Sequence, residues 1–253
     1  MFEVVPQIAI LLVFAAFFAG FVDAIAGGGG LITVPVLLLA GAAPLEALST
    51  NKVQGTFGAA TAALAYARAG HVDLRLQIGA ALIAFAAGVA GAVLATVAPT
   101  DALRLALPVI LISIAAFFAF KPGLTDEDRV QRLRPARFTA FVVPILGSYD
   151  GLIGPGAGSF YMIGFVMLAG YGVLKATAHT KLLNFASNLG GLLTFALHGA
   201  PWWIIGLCMG AAQIGGATLG ARLAMRIGAG LIKPLLVITS TALALRLLWQ
   251  AWG

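Results

Sequence analysis

Charge, cysteine and polar runs are what this sequence has little of. Aspartate, glutamate, lysine and arginine make up 9% of its 253 residues, against roughly 25% in soluble domains. Hydrophobic residues make up 61%, and a water-soluble fold of this length could not cover its surface with so few polar groups. The single cysteine, Cys208, excludes an internal disulfide and a cysteine-rich metal site. The start, Met1-Phe2-Glu3, lacks a basic stretch, and the first apolar run leads into Asp23 without a small-residue cleavage site. It is therefore expected to be a membrane segment and not a signal peptide. No HExxH zinc helix and no Asp-rich prenyl-diphosphate motif occurs.

What is present is apolar sequence of bilayer length. Val4–Val22, Leu76–Thr100, Gly151–Leu174 and Leu182–Ala221 carry no Asp, Glu, Lys or Arg. About 20 apolar residues cross the hydrocarbon core, so the last run holds two passes with a turn near His198–Pro201. The pI of about 9.9 does not point to nucleic acid, because the basic residues sit in short loops between apolar runs. That placement is the topology signal of a membrane protein.

The chain reads as a duplicated unit. Asp23-Ala-Ile-Ala-Gly27-Gly-Gly-Gly30 matches Asp150-Gly-Leu-Ile-Gly154-Pro-Gly-Ala-Gly158-Ser159 at an offset of 127, and further on the offset settles at 129. There Leu39-Ala40-Gly41 matches Leu168-Ala169-Gly170, Lys52 matches Lys181, Gly91-Ala92 matches Gly220-Ala221, and Arg104 matches Lys233. This divides the chain into a first membrane repeat, 1–120, a basic linker, 121–137, and a second repeat, 138–253. Five apolar segments are expected per repeat, near 4–25, 30–43, 47–67, 76–98 and 103–120, then 138–153, 158–171, 176–197, 202–221 and 231–249. The second of each set is short, either a half-helix or a tilted span. The linker holds five basic residues and is placed in the cytoplasm. The Arg68/Arg75 loop and the Arg222/Arg226/Lys233 loop then both fall inside, although they are not equivalent loops. Only an odd number of crossings per repeat allows that, so the expected fold is an all-α polytopic membrane protein of two inverted repeats with broken helices.

Chemistry is expected at two places in each repeat. Gly27, Gly28, Gly29 and Gly30 break a membrane helix, and Gly154, Pro155, Gly156 and Gly158 break its counterpart before Ser159. A helix restarting after each break offers N–H groups and partial positive charge, which suit an anion. Asn51, Lys52 and Gln54 in one repeat, and Thr180, Lys181, Asn184 and Asn188 in the other, place a cation beside amides on one helix face. Asp23 and Asp150 precede the breaks and either cap them, pair with Lys52 or Lys181, or carry a coupling proton. His179 could add a proton near Lys181. Gly216 and Gly220, like Ser187 and Gly191, read as helix-packing positions. Trp202 and Trp203 read as an interfacial belt.

These residues carry a family resemblance. Gly20-Phe-Val-Asp23-Ala-Ile-Ala-Gly-Gly-Gly-Gly30-Leu-Ile-Thr-Val-Pro35 with Ser49-Thr50-Asn51-Lys52 resembles the first-half signature of the TauE/SafE sulfite exporter family. Tyr149-Asp150-Gly-Leu-Ile-Gly154-Pro155-Gly-Ala-Gly158-Ser159 with Thr180-Lys181 and Asn184 resembles the second. The resemblance implies a permease of the bacterial inner membrane that moves sulfite, organosulfonates or related sulfur anions, without fixing which one or in which direction. Export by alternating access of the two repeats is the expected mode. It calls for no cofactor or metal and no enzyme activity. The bilayer, a small anion and a coupling proton or sodium ion are the expected partners, and a homodimer stays open. A passive anion channel is the alternative. An intramembrane serine hydrolase built on Ser159 with His179 or His198 is a weaker one, because Phe160 and not glycine follows the serine. The topology predicts that reporters fused to either terminus both read as external; two cytoplasmic readings would refute it.

Overall fold

A computed structural model describes residues 3–103, 130–198 and 201–228, with positions 109, 113, 127, 128, 230, 231 and 234 besides. The fifth segments expected near 103–120 and 231–249, and the Arg104–Lys233 match, lie outside the described residues almost entirely. In the first half α1 is Pro6–Ala26, α2 Gly29–Leu39, α3 Pro44–Arg68 and α4 Ile78–Val97. A turn, Pro135–Arg137, runs through a π-helical stretch, Phe138–Val142, into α5, Val143–Leu152. Next come α6, Ala157–Gly164, continued as a second π stretch Phe165–Ala169, then α7, Val173–His198, and α8, Trp203–Ile227. The described residues contain no strand.

Two boundaries differ from the hydrophobic pattern, each for a local reason. α3 starts at Pro44 and not near 47, because proline suits the first helical position and Glu46 reaches back to accept the Ala43 N–H at 2.7 Å. α8 runs past the apolar segment through Arg222 and Arg226, since its hydrogen-bond ladder continues until Gly228 turns out at φ 62°.

Among the described residues, α1, α4 and α8 are long and apolar enough to cross a membrane. Their outer faces leave Phe14 and Phe18 on α1, Leu82 and Leu94 on α4, and Leu207 and Leu219 on α8 exposed. Lipid chains cover such faces without penalty. α3 and α7 are as long but carry the polar residues, and these point inward: Lys52, Gln54, Lys181, Asn184, Ser187 and Asn188 are all buried. α2, with 11 residues, spans only about 16 Å at 1.5 Å per residue and cannot cross a core of roughly 30 Å. The bundle is an all-α membrane protein with two polar helices at its centre.

The linker is tied to the end it faces. Asp128 accepts from the Lys175 ammonium at 2.8 Å and from the Gly172 N–H at 2.7 Å. The lysine bond first, and then the backbone bond, hold this carboxyl below the usual carboxylate range. The Arg132 and Leu133 N–H groups both donate to the Leu168 carbonyl.

α1 packs on α8, α4 on α5 and α7, and α3 on α8 and α7. The approach is backbone to backbone. A Cβ at Gly216 would lie 2.0 Å from the Phe17 carbonyl oxygen, and one at Gly91 2.0 Å from that of Ser148. With lipid outside, such close packing and not water exclusion drives helix association. Gly216→Leu is expected to force α1 off α8, costing about 1–3 kcal/mol or more, since rigid backbone meets the new side chain. A melting temperature in detergent equal to that of the unchanged protein would contradict this.

Candidate functional site

The site grows from the two helix breaks. Between α1 and α2 the chain turns through Gly27 at φ 78° and Gly28 at φ 87°; between α5 and α6 it turns through Gly154 at φ 92° and Gly156 at φ 81°. A side chain strains all four conformations, so the glycines are a backbone requirement. Packing adds a second one, because a Cβ on Gly27 would lie 2.4 Å from the Ser159 nitrogen. The two breaks thus touch, and Ser159 Oγ donates to the Ala26 carbonyl at 2.9 Å. Their contact brings the first turns of α2 and α6 together, with partial positive charge at both ends.

Each break is held by a lysine from the opposite half. Lys52 on α3 donates to Asp150 Oδ1 at 2.6 Å, to the Asp150 carbonyl oxygen, and to Asn188 Oδ1 at 3.2 Å. Lys181 on α7 donates to Asp23 Oδ2 at 3.2 Å and to the Asp23 carbonyl oxygen. Both lysine side chains are 0% exposed, Asp150 is 1% exposed and Asp23 16%. The carbonyls they reach belong to the C-terminal ends of α5 and α1, where a cation meets the negative end of the helix dipole. On the far side of the first break, Asp23 Oδ1 accepts the Gly29 N–H at 3.0 Å and caps α2. Asp23 is therefore both cap and ion-pair partner. Asp150 is an ion-pair partner that Asn184 Nδ2 (2.9 Å), Ser187 Oγ (2.5 Å) and Asn188 Nδ2 (3.2 Å) also reach.

Between these elements lies a small chamber with a free volume of about 30 Å³, room for a group of a few non-hydrogen atoms. Gly28, Gly29 and Gly30 border it on one side and Gly154, Gly156 and Gly158 on the other. Asn51, Asn184, Asn188 and Gln213 add amides, and Asp23 and Asp150 complete the wall. Asn51 is oriented by its neighbours: its Oδ1 accepts from Thr33 Oγ1 at 2.8 Å and from Gln54 Nε2 at 3.1 Å. That leaves its NH2 group to turn toward Gly30 and the chamber. Gln54 is fixed in turn by Gln213 Nε2, which donates to its Oε1 at 3.1 Å.

The sequence-predicted residues fall into two sets. Gly28–Gly30, Asn51, Gly154, Gly156, Gly158, Asn184, Asp23 and Asp150 border the chamber. Lys52, Lys181, Gln54, Gly27 and Ser159 stand one layer out, holding those that do. Thr180 is buried with its hydroxyl unpartnered. His179 lies apart, edge-on to Tyr171 with ring centroids 4.8 Å away, its Nδ1 3.0 Å from the Lys175 carbonyl oxygen. It lines a larger cavity of about 660 Å³ between α4, α5, the end of α6 and α7, with Gln77, Val143, Phe165 and Leu183. Sequence reasoning missed Gln213 and Gly55. An amide alone in the apolar α8 was the available signal for the first; nothing marked the second.

An all-α membrane bundle whose two broken helices meet around a small polar chamber is the architecture of a membrane transporter. The chain belongs to the sulfite exporter TauE/SafE family, whose model matches residues 12–247. It is 56% identical over 234 residues to "Probable membrane transporter protein ORF9" of Sinorhizobium sp, covering 92% of this chain and 90% of that one. It is 42% identical over 253 residues to "Probable membrane transporter protein YfcA" of Escherichia coli strain K12, covering 100% of this chain and 94% of that one. A "Probable membrane transporter protein" of Haemophilus influenzae is 41% identical, over 96% of this chain and 95% of its own. No solved structure matches.

Lys52→Met is expected to destabilise the protein by about 3–5 kcal/mol, because it strands a buried carboxylate. Lys52→Met combined with Asp150→Asn is expected to recover part of that loss. Melting curves of the two variants test it, and equal losses would show that the pair is not the source.

Proposed function

We propose that the protein carries small sulfur oxyanions, sulfite or short organosulfonates, by alternating access in the bacterial inner membrane, with export as its physiological direction. The observation that carries this reading is the chamber itself, where two helix N-termini and the Asn51 NH2 group converge on a space sized for a few atoms. An oxyanion takes hydrogen bonds from such donors without a metal. The two bordering carboxylates are each held by a lysine, which blunts their repulsion of an anion. The family description, sulfite exporter, supports both substrate class and direction.

Alternating access and inverted repeats draw support from the packing. Exchanging the halves turns the α1–α8 contact into α5–α4, and α3–α8 into α7–α4, while α3–α7 maps onto itself. The two ends of the bundle differ in filling. The larger cavity opens at the linker end among α4, α5, α6 and α7. The equivalent space among α8, α1, α2 and α3 is filled by Leu12, Leu37, Leu48, Ile205 and Met209. A carrier facing the linker side has this asymmetry. Ser159 gives its hydroxyl to the Ala26 carbonyl, not to a base, so nothing favours a hydrolase.

Thermal shift of the purified protein with sulfite, sulfate, thiosulfate and short sulfonates tests the reading. A ligand at 100 times its Kd stabilises the folded state by about 2.7 kcal/mol. Stabilisation by a sulfur oxyanion is expected, and Asn51→Asp, which swaps a donor for a carboxylate of the same shape, is expected to remove it. Absence of any shift across the series would sink the proposal.

A further inference from the structure

The two matched ion pairs are not equally secured. Asp150 is 1% exposed, and its two oxygens accept from four side chains: Lys52, Asn184, Ser187 and Asn188. Asp23 is 16% exposed and accepts from Lys181 at 3.2 Å and the Gly29 N–H at 3.0 Å. The cause is written in the helices opposite. At the 129-residue offset that relates Lys52 to Lys181, the positions matching Asn184, Ser187 and Asn188 are Gly55, Gly58 and Ala59. None of those three has a side-chain donor, so Asp23 has no counterpart to the shell around Asp150. Gly55 itself borders the chamber, and a Cβ there would lie 3.3 Å from Asn188 Oδ1.

We infer that Lys52–Asp150 is a fixed pin and Lys181–Asp23 the pair that opens, Lys181 turning to the bound anion while Asp23 takes up a proton. This rests on the oxyanion reading above and adds the coupling ion and the residue that carries it. A half-buried carboxylate that loses its cation next to an arriving anion is stabilised by binding a proton. The groups around Asp23 permit this. α7 presents Lys181, and α2 presents the Gly29 N–H. α3 presents Tyr66, whose hydroxyl is committed to the Ala24 carbonyl at 2.9 Å. α6 contributes Gly158 and α8 the uncharged Gln213. Across the chamber Lys52 and Asp150 neutralise each other.

The charge balance is then simple. Before binding, Lys181 and Asp23 sum to zero; afterwards Lys181 balances a monovalent anion and the protonated Asp23 is neutral. The proton comes from the solution on the loading side onto a carboxylate oxygen of Asp23 and leaves with the anion on the other side. One anion and one proton cross together without net charge, so flux follows the anion and pH gradients and not the membrane potential. A steep outward anion gradient still drives export under this scheme.

Proteoliposomes given external methanesulfonate, a monovalent short sulfonate, provide the test. A pH gradient is expected to drive accumulation, and a potassium-diffusion potential with valinomycin is expected to drive none. Accumulation driven by voltage alone in the unchanged protein would overturn the proposal, and this arm needs no variant. In Asp23→Asn the ratio of pH-driven accumulation to anion exchange is expected to be lost, whatever the absolute rate. Persistence of that ratio would also overturn it. If no oxyanion binds the unchanged protein at all, the failure lies with the substrate reading, before coupling is reached.

Discussion

Inside a bilayer no solvent satisfies a peptide group that leaves its helix, and this protein breaks two helices there. Everything around the site answers that constraint. The breaks turn at glycines, in backbone regions that other residues enter only under strain, and they lie against each other so that protein covers both. The carbonyls freed on one side are met by lysines and the N–H freed at Gly29 is met by Asp23. Because each lysine comes from the other half of the chain, neither half alone meets the carbonyls freed at its own break.

The proposed function draws on the same arrangement. In that reading, polar groups that secure a helix break also hold the anion, and only their degree of commitment separates the two roles. Lys52 is bound on several sides and Asp150 is saturated, whereas Asn51 has its oxygen occupied and its NH2 group turned to the chamber. Many donors around Asp150 and few around Asp23 make the two ion pairs unlike. Small residues make this compact: they let the backbones of α1 and α8, and of α4 and α5, approach closely.

Much of this was legible in residues 20–35, 49–54, 149–159 and 179–184. Runs of glycine at membrane depth have few uses besides a break, and a lysine repeated in register in an apolar helix demands a partner. The pairing of Asp23 and Asp150 with lysines was open as one of several roles, but which lysine meets which aspartate was not decidable. Nothing in linear spacing distinguishes Lys52–Asp23 from Lys52–Asp150. Gln213 carried only the weak signal of one amide in an apolar helix, and Gly55 carried none. Thr180 and His179, close neighbours of Lys181 in sequence, fall outside the chamber because successive helical residues point about 100° apart.

By itself the sequence determined the solvent of this protein, its two helix breaks and the chemistry gathered at them, because composition, glycine runs and register-matched charges are local properties. Tertiary structure decided the crossed partnership of lysines and aspartates, the chamber they enclose and the unequal shells around the two carboxylates. Those depend on which faces of α3, α7 and α8 meet, and helix faces are chosen by close packing between halves that lie far apart in the chain.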